Sequence, residues 1–174
     1  GGSSISIFRN KSTTDLISFD AKTDLTVSSN SRATAIADLD GDGKLDILLG
    51  HEGTDKISVF RNTESTGVVS FATNVEFTAG NGPLTVAIAD FDNDGKPDAV
   101  TGNVNASSIS VLRNTSTSGS ISFASKVDFT ANTTPRGVTT GDFDGDGKQD
   151  VVVANLGSNN ISVHRNASTA VGTI

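Results

Sequence analysis

The chain has 174 residues, 34% hydrophobic and 5% aromatic, with 20 acidic against 13 basic side chains and a formal net charge of −7. That balance selects against a nucleic-acid backbone or an anionic bilayer as the main partner, since both favour basic patches. The absence of Cys excludes disulfides, thiolate nucleophiles and thiolate metal sites. No apolar run approaches the ~20 residues that span a bilayer, and the opening "GGSS" carries no signal-peptide pattern.

In chain order the elements repeat. "ISIFRN" at Ile5 returns as "ISVFRN" at Ile57, "ISVLRN" at Ile109 and "ISVHRN" at Ile161, a constant spacing of 52 residues. "DLDGDGKLD" from Asp38 returns with the same period as "DFDNDGKPD" from Asp90 and "DFDGDGKQD" from Asp142. Each period predicts four short strands. Strand a ("TAIAD", "TVAIAD", "GVTTGD") precedes the acidic loop and carries small residues, Ala37, Ala89 and Gly141, suited to a crowded place. Strand b ("DILLG", "DAVTG", "DVVVA") is an apolar run expected to be covered on both faces. Strand c is the "ISVFRN" segment. Strand d ("VVSFATNVEFT") alternates throughout, with Val69, Phe71, Thr73, Val75 and Phe77 on one side, as an outer edge strand should.

An all-β fold of four-stranded antiparallel meanders repeated every 52 residues predicts β-propeller blades, about three per chain. The expected division is residues 5–30 as strands c-d completing a neighbouring blade, 33–80 and 85–132 as whole blades, and 137–174 as strands a-b-c of a third. Three blades cannot close a ring. The expected partners are therefore a second copy, forming a six-bladed ring, or flanking blades of a longer chain.

The acidic loops place carboxylates at positions 1, 3, 5 and 9: Asp38, Asp40, Asp42 and Asp46, then Asp90, Asp92, Asp94 and Asp98, then Asp142, Asp144, Asp146 and Asp150. Alternate spacing on a tight turn converges oxygen ligands, and glycine at position 6 permits the turn, a chemistry that selects Ca2+. The backbone carbonyls of Lys44, Lys96 and Lys148 at position 7 are expected to join them, with the ammonium groups in solvent. The result is three expected Ca2+ sites per chain. An EF-hand is excluded because its twelfth position falls on Leu49, Thr101 and Val153. Three Ca2+ would bring the formal charge from −7 to −1, relieving the repulsion among twelve of the 20 acidic groups.

The residues of "AIADFDNDGKPDAVTGN" with "ISVLRN" resemble the FG-GAP or VCBS repeat, known from integrin α heads, secreted bacterial surface proteins and a fungal propeller lectin. The resemblance implies a β-propeller with calcium in the a-b loops, serving adhesion or ligand recognition without catalysis.

Catalytic residues are not expected: the two histidines, His51 and His164, fall at non-equivalent repeat positions, and the carboxylates are accounted for by metal. The arginines of the "RN" pair are expected to meet loop carboxylates. On the opposite rim the b-c loops ("HEGTDK", "NVNASS", "NLGSNN") and d-a loops ("SSNSR", "GNGPL", "NTTPR") vary between repeats. Variable loops on a constant frame point to binding, with His51, Glu52, Asp55, Asn103, Asn105, Asn155, Asn159 and Arg136 as candidates for a glycan or protein ligand. The lack of Trp and Tyr removes the usual sugar-stacking platform. The expected function is a calcium-stabilised, secreted or cell-surface recognition module, lectin-like; the alternative is a structural spacer or assembly module of a larger surface protein.

Overall fold

The computed structural model describes residues 4–27 and 30–174. Ser28 and Ser29 of the first d-a loop, and residues 1–3 of the opening "GGSS", lie outside the described residues. The strands are β1 (Ser4–Ile7), β2 (Thr23–Thr26), β3 (Ser31–Ala37), β4 (Asp46–His51), β5 (Lys56–Phe60), β6 (Val75–Thr78), β7 (Pro83–Ala89), β8 (Asp98–Asn103), β9 (Ser108–Leu112), β10 (Val127–Thr130), β11 (Pro135–Gly141), β12 (Asp150–Asn155) and β13 (Asn160–His164). All pair antiparallel with their chain neighbours in four sheets, β1-β2, β3-β4-β5-β6, β7-β8-β9-β10 and β11-β12-β13. Two sheets are thus whole propeller-type blades, and the array is not closed.

Burial follows the sequence pattern. The b strands β4 and β8 are covered on both faces, as continuous apolar runs require. Inner strands β3, β7 and β11 lie side by side, and the apolar cores form between successive sheets rather than within one. One core joins Leu39, Leu48, Ile57 and Val59 to Val86, Ala99 and Leu112 of the next sheet; a second joins Phe91, Val100, Ile109 and Val111 to Val151 and Val153. Close approach of sheets explains two glycines on the b strands. A Cβ on Gly50 would lie 2.8 Å from the Pro83 carbonyl oxygen, and one on Gly102 would lie 2.5 Å from Thr85 Cγ2. The expected crowding at Ala37, Ala89 and Gly141 is milder, since a Cβ on Gly141 would meet only the Phe143 ring at 3.3 Å.

Strand d corrects the expectation of one long alternating strand. Only its second half is regular, because the register slips by one residue between Val59↔Val75 and the isolated bridge Asn62↔Phe71. The cause lies on strand c: the Asn62 N–H is drawn 2.8 Å to Asp46 Oδ1, which pulls the strand out of the ladder. Phe71 and Phe77 still pack inward, while Val75 is exposed.

The asparagine of "RN" links neighbouring sheets. Asn114, fully buried, donates through Nδ2 to the Leu39 carbonyl of the preceding loop and to the Pro97 carbonyl, both at 2.9 Å, and Asn166 repeats this with Phe91 (2.7 Å) and Gln149 (3.2 Å). Asn114→Ala would leave two carbonyls without their donor and is expected to cost about 2–4 kcal/mol in denaturant unfolding. Asn10→Ala, on the exposed equivalent, is expected to cost about 0.5 kcal/mol or less; equal losses would refute the inter-sheet role.

Candidate metal centre

Each acidic loop is a tight winding in which the aspartate side chains take up the backbone N–H groups. Asp38 accepts from Gly41 (2.8 Å), Asp42 (3.1 Å) and Gly43 (2.8 Å), while Asp40 and Asp42 accept from the N–H two residues further on. The Asp142 loop has the same bonds. The left-handed φ of +87° at Gly43 is what aims its N–H back at Asp38. Asn93 holds φ +55° where the other loops have glycine, a conformation that asparagine tolerates.

This winding brings together one oxygen from each of Asp38, Asp40 and Asp42, within 4.8 Å of one another, and does the same for Asp90, Asp92 and Asp94 and for Asp142, Asp144 and Asp146. The donor set fits a hard divalent cation. In the middle loop Asp92 Oδ2 is buried without a hydrogen-bond partner, whereas in the first loop the equivalent Asp40 Oδ2 accepts the Gly119 N–H of the next sheet at 2.9 Å. Burial first, and the neighbouring Asp94 and Asp90 charges after it, push the Asp92 carboxyl up.

Asp46, Asp98 and Asp150 stand apart from these groups. Each is almost fully buried and spends both oxygens on backbone N–H groups, those of Leu39 and Asn62, of Phe91 and Asn114, and of Phe143 and Asn166. They join the loop to strand c, a role the even spacing of carboxylates concealed. Burial pushes Asp98 up to about 6 against those two N–H groups, and raises Asp46 for the same reason.

The expectation that Lys44, Lys96 and Lys148 contribute backbone carbonyls finds no support. Their ammonium groups also do not simply face solvent: Lys96 donates to the Ser116 carbonyl at 3.0 Å, Lys148 to the Ser168 carbonyl at 2.6 Å, and Lys44 lies 4.0 Å from Asp42. Two of the "RN" arginines, Arg61 and Arg165, meet the loops as expected, while Arg9 lies 3.8 Å from Asp20 instead. Arg61 Nη1 is 3.8 Å from Asp42, and Arg165 pairs with Asp144 and Asp146, holding the Asp144 carboxyl below its usual range.

On the opposite rim the structure separates the candidate ligand residues. His51, Asn103 and Asn155 are buried at the ends of their b strands rather than presented to solvent. His51 Nε2 lies 2.7 Å from Ser58 Oγ; Asn103 donates to Ser110 Oγ at 2.8 Å and accepts from Thr101; Asn155 donates to Ser162 Oγ at 2.8 Å. These are sheet-internal polar networks. Glu52 pairs with Arg32 at 2.9 Å, and Asp55 accepts the Gly82 N–H of the next sheet at 2.8 Å. Asn105 is exposed. Arg136 and Asn159 meet Asn155 along a shallow cleft of about 520 Å³, Arg136 sitting where a bulge shifts the β11 register. Burial holds the His164 imidazole below its usual range.

A family model described as FG-GAP-like repeat matches residues 38–101 and 99–153, about two thirds of the chain and all three acidic loops. No curated protein gives a significant match.

The raised carboxyl of Asp98 has a definite sign. Its folded value lies above the 3.8 of the unfolded chain, so its contribution to stability is fully present below about 3.8 and is lost as pH rises through about 6. In calcium-free buffer the carboxyl 13C resonance of Asp98 is expected to titrate near 6; a midpoint in the ordinary range, about 4, would contradict the burial argument.

Proposed function

Because this chain belongs to the FG-GAP-like repeat family, we propose that it is a calcium-stabilised, non-enzymatic β-propeller module working in recognition or adhesion outside the cell. The observation that carries the reading is the threefold recurrence of the aspartate triad at loop positions 1, 3 and 5. Asp38, Asp40 and Asp42, with their counterparts, would hold Ca2+; the ion would supply positive charge that lets three carboxylates share one turn. Sites of this kind in extracellular modules have Kd of about 10⁻⁴ to 10⁻³ M, so millimolar calcium would add about 1 kcal/mol per site. Submicromolar cytosolic calcium would leave them empty, which supports a secreted or surface setting.

A non-enzymatic role is supported by the state of both histidines. The His51–Ser58 contact is fully buried, out of reach of a substrate, and His164 Nε2 is buried without a partner. Arg136, Asn159 and Asn105 are exposed polar groups of the variable rim, able to meet the hydroxyls of a glycan. The second reading, a spacer or assembly module, is favoured by the burial of His51, Asn103 and Asn155, which removes one candidate from each repeat.

Calcium is expected to raise the melting temperature, and Asp42→Ala, Asp94→Ala and Asp146→Ala together to lower it markedly more in calcium than in EDTA. Equal loss in both buffers would refute the metal assignment. On a glycan array, binding that disappears with EDTA and with Arg136→Ala supports recognition. Calcium stabilisation with no bound sugar would leave the spacer reading.

A further inference from the structure

The outer edge of β13 and the cavity beside it carry an inference that does not rest on the calcium reading. Every other strand c has an outer partner: β1 pairs with β2, β5 with β6 and β9 with β10. Among the described residues no strand lies beside the outer edge of β13. Its side chains record the difference. Ile161 is 67% exposed where Ile57 and Ile109 are 0% and 1%, and Val163 is likewise exposed where Val59 and Val111 are buried.

Beside that edge is a cavity of about 500 Å³ whose apolar wall includes Phe91, Ile109, Val111, Phe129 and Val151. Fifty-two residues earlier the same positions are Leu39, Ile57, Val59, Phe77 and Ala99, and there the space is filled by Phe123, edge-on to Phe77 with ring centroids 5.1 Å apart. The cavity therefore matches the seat that Phe123 takes one repeat earlier, with Ile174 of this chain packed against the same core. His164 Nε2, also on its wall, is buried with no hydrogen-bond partner.

The polar pattern narrows the occupant further. Ser6 donates to Asp24 and Ser110 to Asp128, while Ser58 stands opposite Glu76. In each pair a serine on strand c faces an acid on strand d. Ser162 is the matching serine of β13; it accepts from Asn155 and Asn132 and, among the described residues, faces no acid. The seat thus asks for Phe, three residues, then a short strand with an acid at its second position. The chain has such a segment at its other end, Phe19 followed by Thr23–Thr26 with Asp24 in place. Phe19 is 56% exposed there, with the Phe8 ring against it edge-on.

We propose that the β13 edge is an interface that takes Phe19 and strand β2 of a second copy, β13 replacing that copy's β1. The exchange is reciprocal and closes two open arrays into one two-fold ring of six inner strands. Strand β1 is the intramolecular competitor: four residues at the exposed end, against a β13 anchored in a three-stranded sheet. Since Ile5 faces Leu25 and Ile161 takes the place of Ile5, Ile161 of one copy faces Leu25 of the other.

The full chain contains no cysteine, so introduced ones report directly. Sedimentation is expected to give twice the chain mass at micromolar concentration, and Leu25→Cys with Ile161→Cys to form a disulfide-linked dimer on mild oxidation. Phe19→Ala, an exposed position in the single chain, is expected to weaken the dimer about a hundredfold, while Ser6→Pro, which loosens β1, tightens it. A single-chain mass at about 100 μM, the top of the usual concentration range for weak dimers, would overturn the proposal. So would a dimer that fails to cross-link, or a monomer that binds a labelled peptide of residues 70–78, since the seat would then serve a strand from elsewhere.

Discussion

A buried carboxylate that accepts two backbone N–H groups holds each repeat together. Asp46, Asp98 and Asp150 sit at the start of strand b, where the acidic loop ends, and each ties the second residue of that loop to the asparagine that ends strand c. Charge-assisted bonds to backbone are among the stronger ones, and out of water they tolerate little displacement. The asparagine so fixed then reaches with its side chain to the second residue of the preceding loop, Asn114 to Leu39 and Asn166 to Phe91. One aspartate per repeat therefore orients its own loop and, through asparagine, the next sheet against the last. The slip in strand d is a local consequence of the same bond.

That arrangement separates two duties among carboxylates that look alike in sequence. Positions 1, 3 and 5 converge on a point and suit a cation, while position 9 faces inward and is satisfied by backbone. The aspartate triads lie on a scaffold that other bonds already position, so an ion there would act on the repulsion within the loop more than on the topology. Arg61 and Arg165 reach into the same loops and offset part of that charge.

Much of this was readable from residues. The 52-residue period, the four-strand order and the covered b strands follow from recurrence and hydrophobic pattern, because a repeated sequence in equivalent surroundings forms the same elements. The convergence of Asp38, Asp40 and Asp42 follows from alternate spacing with glycine. What misled was the variable rim. His51, Asn103 and Asn155 vary between repeats, as binding residues do, yet each is buried against a serine on strand c. Histidine and asparagine both satisfy a serine hydroxyl, so variation there reflects interchangeable partners for one buried bond.

The same loop position also has opposite fates along the array. Leu39 and Phe91 are buried by the sheet that follows, whereas among the described residues no sheet covers Phe143, which stands exposed. By itself the sequence determined the repeat, the strand order, the convergence of the loop carboxylates and the family, since these depend on local pattern and spacing. Only the tertiary structure decided which carboxylate binds backbone, which asparagine spans two sheets, and which of several identical positions lies open. Those outcomes depend on what packs against a residue from 52 or more positions away, and a periodic sequence writes the same letters whether or not that neighbour is there.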